Sequence, residues 1–200
     1  MSMSFTVAEP FALFDQWLED ATQSEPNDPN AMSLATVDAD GTLSNRIVLL
    51  KGHGKDGFRF FTNYTSRKGQ ALEANPRAAA LFHWKTLGRQ VRVEGPIERL
   101  TPEQSQAYYD TRPRGSRIGA WASLQSQPLP DRAALEDRIS DFETRFEGQE
   151  TFPKPDYWGG FLLRPLAIEF WNAGEYRLHE RVRLTRQTIS DDWQQSPLYP

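Results

Sequence analysis

Ala31-Met-Ser-Leu-Ala-Thr-Val-Asp-Ala-Asp-Gly-Thr-Leu-Ser-Asn-Arg-Ile-Val-Leu-Leu-Lys51 decides the fold. Two apolar, β-rich runs, Ala31 to Asp38 and Leu43 to Lys51, flank Asp38-Ala-Asp-Gly41, whose Asp-Gly ending is a hairpin signature. Downstream, the Gly-rich stretch Gly52 to Gly57 predicts a second hairpin into Phe58 to Asn63, and Arg77 to Thr86 with Arg89 to Leu100 form another strand pair around Leu87-Gly88. β-Rich segments return after Gly159, as Phe161 to Leu163, Ala167 to Trp171 and Glu180 to Leu184. Strands at both ends of an antiparallel meander predict a closing barrel. Helices flank it. Upstream, Phe11, Phe14, Leu18 and Ala21, widened by Leu13 and Trp17, give Pro10 to Ser24 one apolar stripe. Ser66 to Asn75 reads as helical, ending before Pro76, and Thr101-Pro-Glu-Gln104 is a capping box that starts a helix running to about Thr111, where Pro113 stops it. A loop rich in Arg, Gly and Ser follows, then an amphipathic helix through Leu135, Ile139, Phe142 and Phe146. These helices are too few and badly placed for right-handed βαβ crossovers, so the fold class is mainly β with flanking helices.

The 200 residues suit a single domain, with Met1 to Glu9 as a short N-terminal extension. Six Trp and twelve Phe supply buried area that a disordered chain lacks. A net charge of −4 argues against a nucleic-acid partner. No run approaches the ~18 apolar residues of a membrane helix, and the N-terminus does not resemble a signal peptide, so the chain reads as cytoplasmic. The absence of cysteine removes disulfides, thiolate metal sites and cysteine nucleophiles.

No Gly-x-Gly-x-x-Gly, Walker loop or His-Glu-x-x-His is present, and His53, His83 and His179 are too scattered to form a metal pattern, so no metal is expected. The local cations point instead to an anionic small molecule. In an extended Arg46-Ile-Val-Leu-Leu-Lys51, alternation sends Arg46 and Lys51 to opposite faces, so one strand can serve two anions; solvated strand ends would carry the same charges. Arg177, His179 and Arg181 share parity and project together from an extended chain, an arrangement that also suits a charged edge strand. Ser66-Arg67-Lys68-Gly69 places two cations at a helix start, where N–H groups favour a phosphate, although Arg and Lys also cover helix surfaces. Tyr108 and Arg112 lie one helical turn apart and Ser116 follows Pro113, which makes a second phosphate cup. Gln90 and Gln125-Ser126 offer hydrogen bonds to a heterocycle, as surface Gln and Ser commonly can.

Together with Phe61-Thr-Asn63, Arg89-Gln-Val91, Arg112-Pro-Arg-Gly-Ser116, Ile118-Gly-Ala-Trp121, Trp158-Gly-Gly160, Glu169-Phe-Trp171 and Arg177-Leu-His-Glu-Arg181, these elements resemble the pyridoxamine 5′-phosphate oxidases, in order, over residues 10 to 195. The resemblance implies an FMN-binding split β-barrel, a homodimer with FMN at the subunit interface, and oxidation of pyridoxine or pyridoxamine 5′-phosphate to pyridoxal 5′-phosphate with O2 reduced to hydrogen peroxide. Carried over by motif, Arg46, Ile47, Val48, Leu49, Leu50, Lys51, Phe61, Thr62, Arg67, Lys68, Gln90, Gln125, Ser126, Trp171 and Arg181 contact FMN. Lys51, Tyr108, Arg112 and Ser116 hold the substrate phosphate, Leu178 joins the substrate contacts, and Arg177 and His179 are the catalytic pair over the pyridine ring. The family's N-terminal arm carries Arg and Tyr that cover the substrate, whereas Met1 to Glu9 hold no Arg; the ending Ser196-Pro-Leu-Tyr-Pro200 departs from the family's Arg-Leu-x-Pro and is expected to touch no site residue. Two rivals are a non-catalytic flavin- or pyridoxal-phosphate-binding protein and a split-barrel reductase with another acceptor. Neither would need both the Tyr108, Arg112, Ser116 cup and the Arg177, His179 pair.

Overall fold

In the computed structural model, which describes residues 7–200, the quoted hairpin forms: Ala31–Val37 (β1) pairs antiparallel with Leu43–Leu49 (β2). Of the extension expected over Met1 to Glu9, the first six residues lie outside the described residues. Asp38 N–H donates to the Thr42 carbonyl (2.8 Å) and Gly41 takes φ +87°, so the turn sets a register in which Met32, Leu34 and Thr36 all face inward. The turn expected over Gly52 to Gly57 shrinks to Lys55-Asp56, because Gly52–Gly54 (β3) pairs with Gly57–Asn63 (β4). Gly57, at φ +136°, serves close packing as well: a Cβ there would lie 2.2 Å from the Leu163 carbonyl oxygen.

Pro10–Ser24 (α1) forms as the apolar spacing predicts, Arg67–Ala74 (α2) forms within the expected Ser66 to Asn75, and Arg77–Trp84 (β5) pairs with Arg89–Arg99 (β6). Pro102–Asp110 (α3) begins with both halves of its capping box made. The expected Arg/Gly/Ser loop is instead a helix, Arg114–Ala122 (α4). Gly115, Ser116 and Gly119 lower its intrinsic propensity, but burial of Ile118 and Ala122 and a hydrogen bond from Tyr109 Oη to the Arg117 carbonyl (2.9 Å) outweigh that. Arg132–Arg145 (α5) packs on α4, and Trp158–Leu163 (β7), Ala167–Asn172 (β8) and Glu180–Thr185 (β9) follow. A further strand, Gln194–Leu198 (β10), escapes the sequence pattern because it contains Pro197, which an edge strand tolerates.

β1 pairs with β5, β5 with β6, the far end of β6 with β7, and β7 with β4. Among the described residues no ladder joins β4 to β2; Lys51 N–H to the Arg59 carbonyl (2.8 Å) ties their flanks, and the barrel is split there. Phe14 of α1 plugs the interior against Phe58, Phe82 and Trp84, at ring centroid distances of 4.9, 5.1 and 6.1 Å. Phe82 is fully buried at this junction, so Phe82→Ala should destabilise the fold by about 3–5 kcal/mol, read as a lower urea midpoint. A second apolar cluster, including Tyr109, Ile118, Phe146 and Trp158, seats α3 and α4 against β7. Among the described residues no helix is long and apolar enough to cross a membrane.

Candidate functional site

A cavity of about 460 Å³ opens at the split between β2 and β4. Ile47, Val48, Leu49 and Lys51 line it from β2 and its exit, Phe61, Thr62 and Asn63 from β4, and Lys68 from α2. Tyr108, Arg112, Ser116, Gln125 and Trp158 complete the wall with Gly119, Ala120 and Ser123 of α4. All four residues of the expected cup, Lys51, Tyr108, Arg112 and Ser116, are among these. The Arg112 guanidinium lies 4.8 Å over the Trp158 ring, and Tyr108 stacks on Phe61 at 3.9 Å between centroids. Burial lowers the Arg112 pKa and raises that of Tyr108, each opposed by the other's charge. Arg112 Nη1 is buried without a hydrogen-bond partner among the described residues, a cost that an anion in the cavity would remove.

A polar cluster gathers around the start of α2, where Ser66 Oγ caps the Gly69 N–H. Lys68 Nζ donates to Gln125 Oε1 (2.8 Å) and Thr62 Oγ1 (3.2 Å); burial, then the nearby Arg46 charge, lower its pKa to about 8. Arg46 turns inward from β2 and donates to the Leu34 carbonyl (2.9 Å), Thr36 Oγ1 (2.8 Å) and Ser44 Oγ. Burial, then repulsion from Arg67, hold its pKa below the ordinary value. Arg67 is itself aimed by Asp38, at 2.7 Å. Arg46 and Lys51 diverge, but not by strand alternation alone, because Lys51 lies past the end of β2.

The remaining expected residues do not line this cavity. Leu50 is buried in the core, its N–H donating to the Asn30 carbonyl and its carbonyl accepting from Asn30 Nδ2 (both 2.9 Å), so its side chain cannot face a ligand there. Ser126, beside Gln125, holds φ +71° in a turn. Gln90, Trp171 and Arg181 fall opposite one another across β6, β8 and β9, and the His179 ring lies 4.6 Å from Trp171. β2 and β9 stand toward opposite ends of the strand order.

The shared-parity expectation for Arg177, His179 and Arg181 is corrected. Asn172 pairs with Glu180, so the chain must reverse between them, and Glu175–Arg177 is a 3₁₀ turn with Tyr176 at φ +53° and Arg177 at φ +65°. Arg177 and Leu178 project from this turn into solvent, and Arg177 has no hydrogen bond or ion pair among the described residues. His179 Nδ1 accepts from the Gly174 N–H (3.2 Å), so in the neutral ring Nε2 carries the proton. The C-terminal expectation is also corrected: the Tyr199 carbonyl accepts from Arg181 Nη1 (3.1 Å). Asn63, Gly119, Ala120, Ser123 and Trp158 were not singled out as site residues; reading α4 as a helix would have put Ser116, Gly119, Ala120 and Ser123 on one small-residue face.

The sequence profile described as pyridoxamine 5′-phosphate oxidase matches residues 18–146, and that of the pyridoxine 5′-phosphate oxidase C-terminal dimerisation region matches residues 158–200. Pyridoxine/pyridoxamine 5′-phosphate oxidases of Brucella canis and Brucella suis are each 53% identical over 193 residues, covering 96% of this chain and 95% of theirs. PhzG from Burkholderia lata, solved with tetrahydrophenazine-1-carboxylic acid, superposes with a TM-score of 0.90 at 31% identity, over 98% of this chain and 95% of its own. A pyridoxamine 5′-phosphate oxidase-related, FMN-binding protein from Nostoc punctiforme, 16% identical with a TM-score of 0.75 over 98% of this chain and 100% of its own, shares the fold.

Proposed function

The chain belongs to the pyridoxamine 5′-phosphate oxidase family, and we propose that it oxidises pyridoxamine and pyridoxine 5′-phosphates to pyridoxal 5′-phosphate on bound FMN, with O2 as final acceptor. Hydrogen peroxide forms in both cases, and ammonia from the amine. The observation that carries this reading is the cavity's lining: three cations, Lys51, Lys68 and Arg112, set among apolar and aromatic side chains. That donor set fits two phosphorylated, planar molecules lying together, and the unpartnered Arg112 Nη1 fits an anion. Bound FMN supplies the hydride acceptor, which no protein side chain can be.

The protein's part is orientation. Charge-assisted hydrogen bonds to each phosphate, ~1.5–3 kcal/mol apiece, anchor both molecules at points remote from the reacting carbon. Tyr108 and Ser116 add hydroxyls to the Lys51 and Arg112 cup, while Thr62, Lys68 and Gln125, with Arg46 and Arg67 behind them, serve the FMN phosphate. Arg177 and His179 clamp the substrate ring and position the C4′ substituent, the His179 Nε2 proton serving as a donor to it. Because they stand outside the cavity of their own chain, they reach it from a second copy, so the complete site is one cavity of a homodimer plus the partner's Trp171-to-Arg181 cluster. Edge strand β2 supports this by leaving Leu43 and Ile47 75% and 64% exposed, an apolar edge suited to a partner. The cytoplasm is the compartment assigned, since dianionic phosphate esters do not cross a bilayer unaided.

Lys68 must be protonated to meet a phosphate dianion, and in the ligand-free protein it loses its proton as pH rises through about 8. FMN affinity should therefore be nearly level around neutral pH and fall by about tenfold per unit above pH 8, a slope that Lys68→Arg should flatten. Titration of flavin fluorescence across pH checks this; a level affinity up to pH 9.5 in the unsubstituted protein would remove Lys68 from the phosphate site. The function itself is tested by incubating FMN-loaded protein in air with each phosphate ester and with unphosphorylated pyridoxine. Pyridoxal 5′-phosphate and equimolar peroxide from the esters are expected, with far slower turnover of pyridoxine. Retained flavin with no product from either ester would contradict the reading.

A further inference from the structure

Glu169 of β8 is the one carboxylate buried among the described residues, with 4% of its surface exposed. Its Oε1 accepts from both Nε (2.9 Å) and Nη2 (2.7 Å) of Arg181, and its Oε2 faces Arg92 Nη1 at 3.5 Å. Arg92 in turn meets Glu94 (2.6 Å), which meets Arg183 (3.0 Å), so alternating charges run across β9, β6 and β8 and end on Arg181. A buried ion pair is weak evidence for stability, since well-packed apolar residues serve a fold as well or better. It does fix a long, flexible cation in one place. Of the five guanidinium N–H groups, Glu169 takes two and the Tyr199 carbonyl a third, leaving two in a set direction for a ligand.

We infer that Glu169 is a positioning residue: it aims Arg181 at FMN and affects FMN binding only through Arg181. This rests on the reading of Arg181 as an FMN contact and adds the residue that makes that contact rigid. A double-mutant cycle tests it, with FMN dissociation constants measured by flavin fluorescence for the unsubstituted dimer, Glu169→Gln, Arg181→Gln and the double variant, and apoprotein unfolding midpoints measured alongside. Glu169→Gln should weaken FMN about tenfold when Arg181 is present, the loss of one charge-assisted interaction, and less than about twofold when it is not. Equal weakening in both backgrounds, or none in the first, would overturn the positioning role while leaving Arg181 as a contact. Unchanged FMN affinity in Arg181→Gln alone would overturn both. If Glu169→Gln fails to fold, Glu169→Asp enters the same cycle, with a loss of about threefold expected only when Arg181 is present.

Discussion

Replacing Arg177 with alanine should lower kcat/KM for pyridoxine 5′-phosphate by about 10²–10⁴-fold while the variant retains its FMN. Arg177 has no hydrogen bond or ion pair among the described residues, and its guanidinium projects from a turn whose backbone sits at φ +65°. A non-glycine residue in that conformation costs on the order of 1–3 kcal/mol, and the observed strain at Tyr176 and Arg177 accords with a functional turn. The side chain has no visible part in the fold, so its removal should act on the substrate it orients. Steady-state kinetics and the flavin-to-protein ratio check this together. A variant that loses flavin yet turns over normally when saturated with FMN would show that Arg177 holds the cofactor instead.

Arg112→Ala should raise KM about 10–100-fold, with FMN retained, because it removes a charge-assisted hydrogen bond to the substrate phosphate. Some loss of kcat should accompany it, since the phosphate bond is remote binding energy that orients C4′. Arg112→Lys should recover little: the planar guanidinium stacks over Trp158, and an ammonium does not reproduce that geometry. An unchanged KM would take Arg112 out of the substrate cup. If Arg112 and Arg177 serve one site from two different chains, as proposed, dissociating and re-forming dimers from equal amounts of the two variants should restore about a quarter of full activity: half the dimers are mixed, and each has one intact site. If re-formed mixtures show only the mean of the two variants, each site is built from a single chain.

Much of this was legible in the sequence, for reasons that differ by element. The Asp-Gly turn and the Thr101 capping box are local chemistry, so the hairpin and α3 were readable from a few residues. α4 was not, because its glycines and serine resemble a loop until Ile118 and Ala122 are buried by distant partners. Tyr176 and Arg177 gave no turn signal, since neither is a residue that favours a left-handed backbone; the reversal is imposed by the pairing of β8 with β9. Lys51, Tyr108, Arg112 and Ser116, expected as a cup from motif order, are brought by the fold to the lining of one cavity. The aim of Arg181 could not be read, because Glu169 is twelve residues away in sequence and meets it only across a strand pair.

The most direct test of the proposed activity is anaerobic mixing of FMN-loaded protein with pyridoxine 5′-phosphate while the flavin absorbance band is followed, and then admission of air. The band should bleach as the substrate is oxidised and recover with oxygen, leaving pyridoxal 5′-phosphate and peroxide in equal amounts. A band that persists with both pyridoxine and pyridoxamine 5′-phosphates would contradict the oxidase reading and leave a protein that binds flavin without this chemistry.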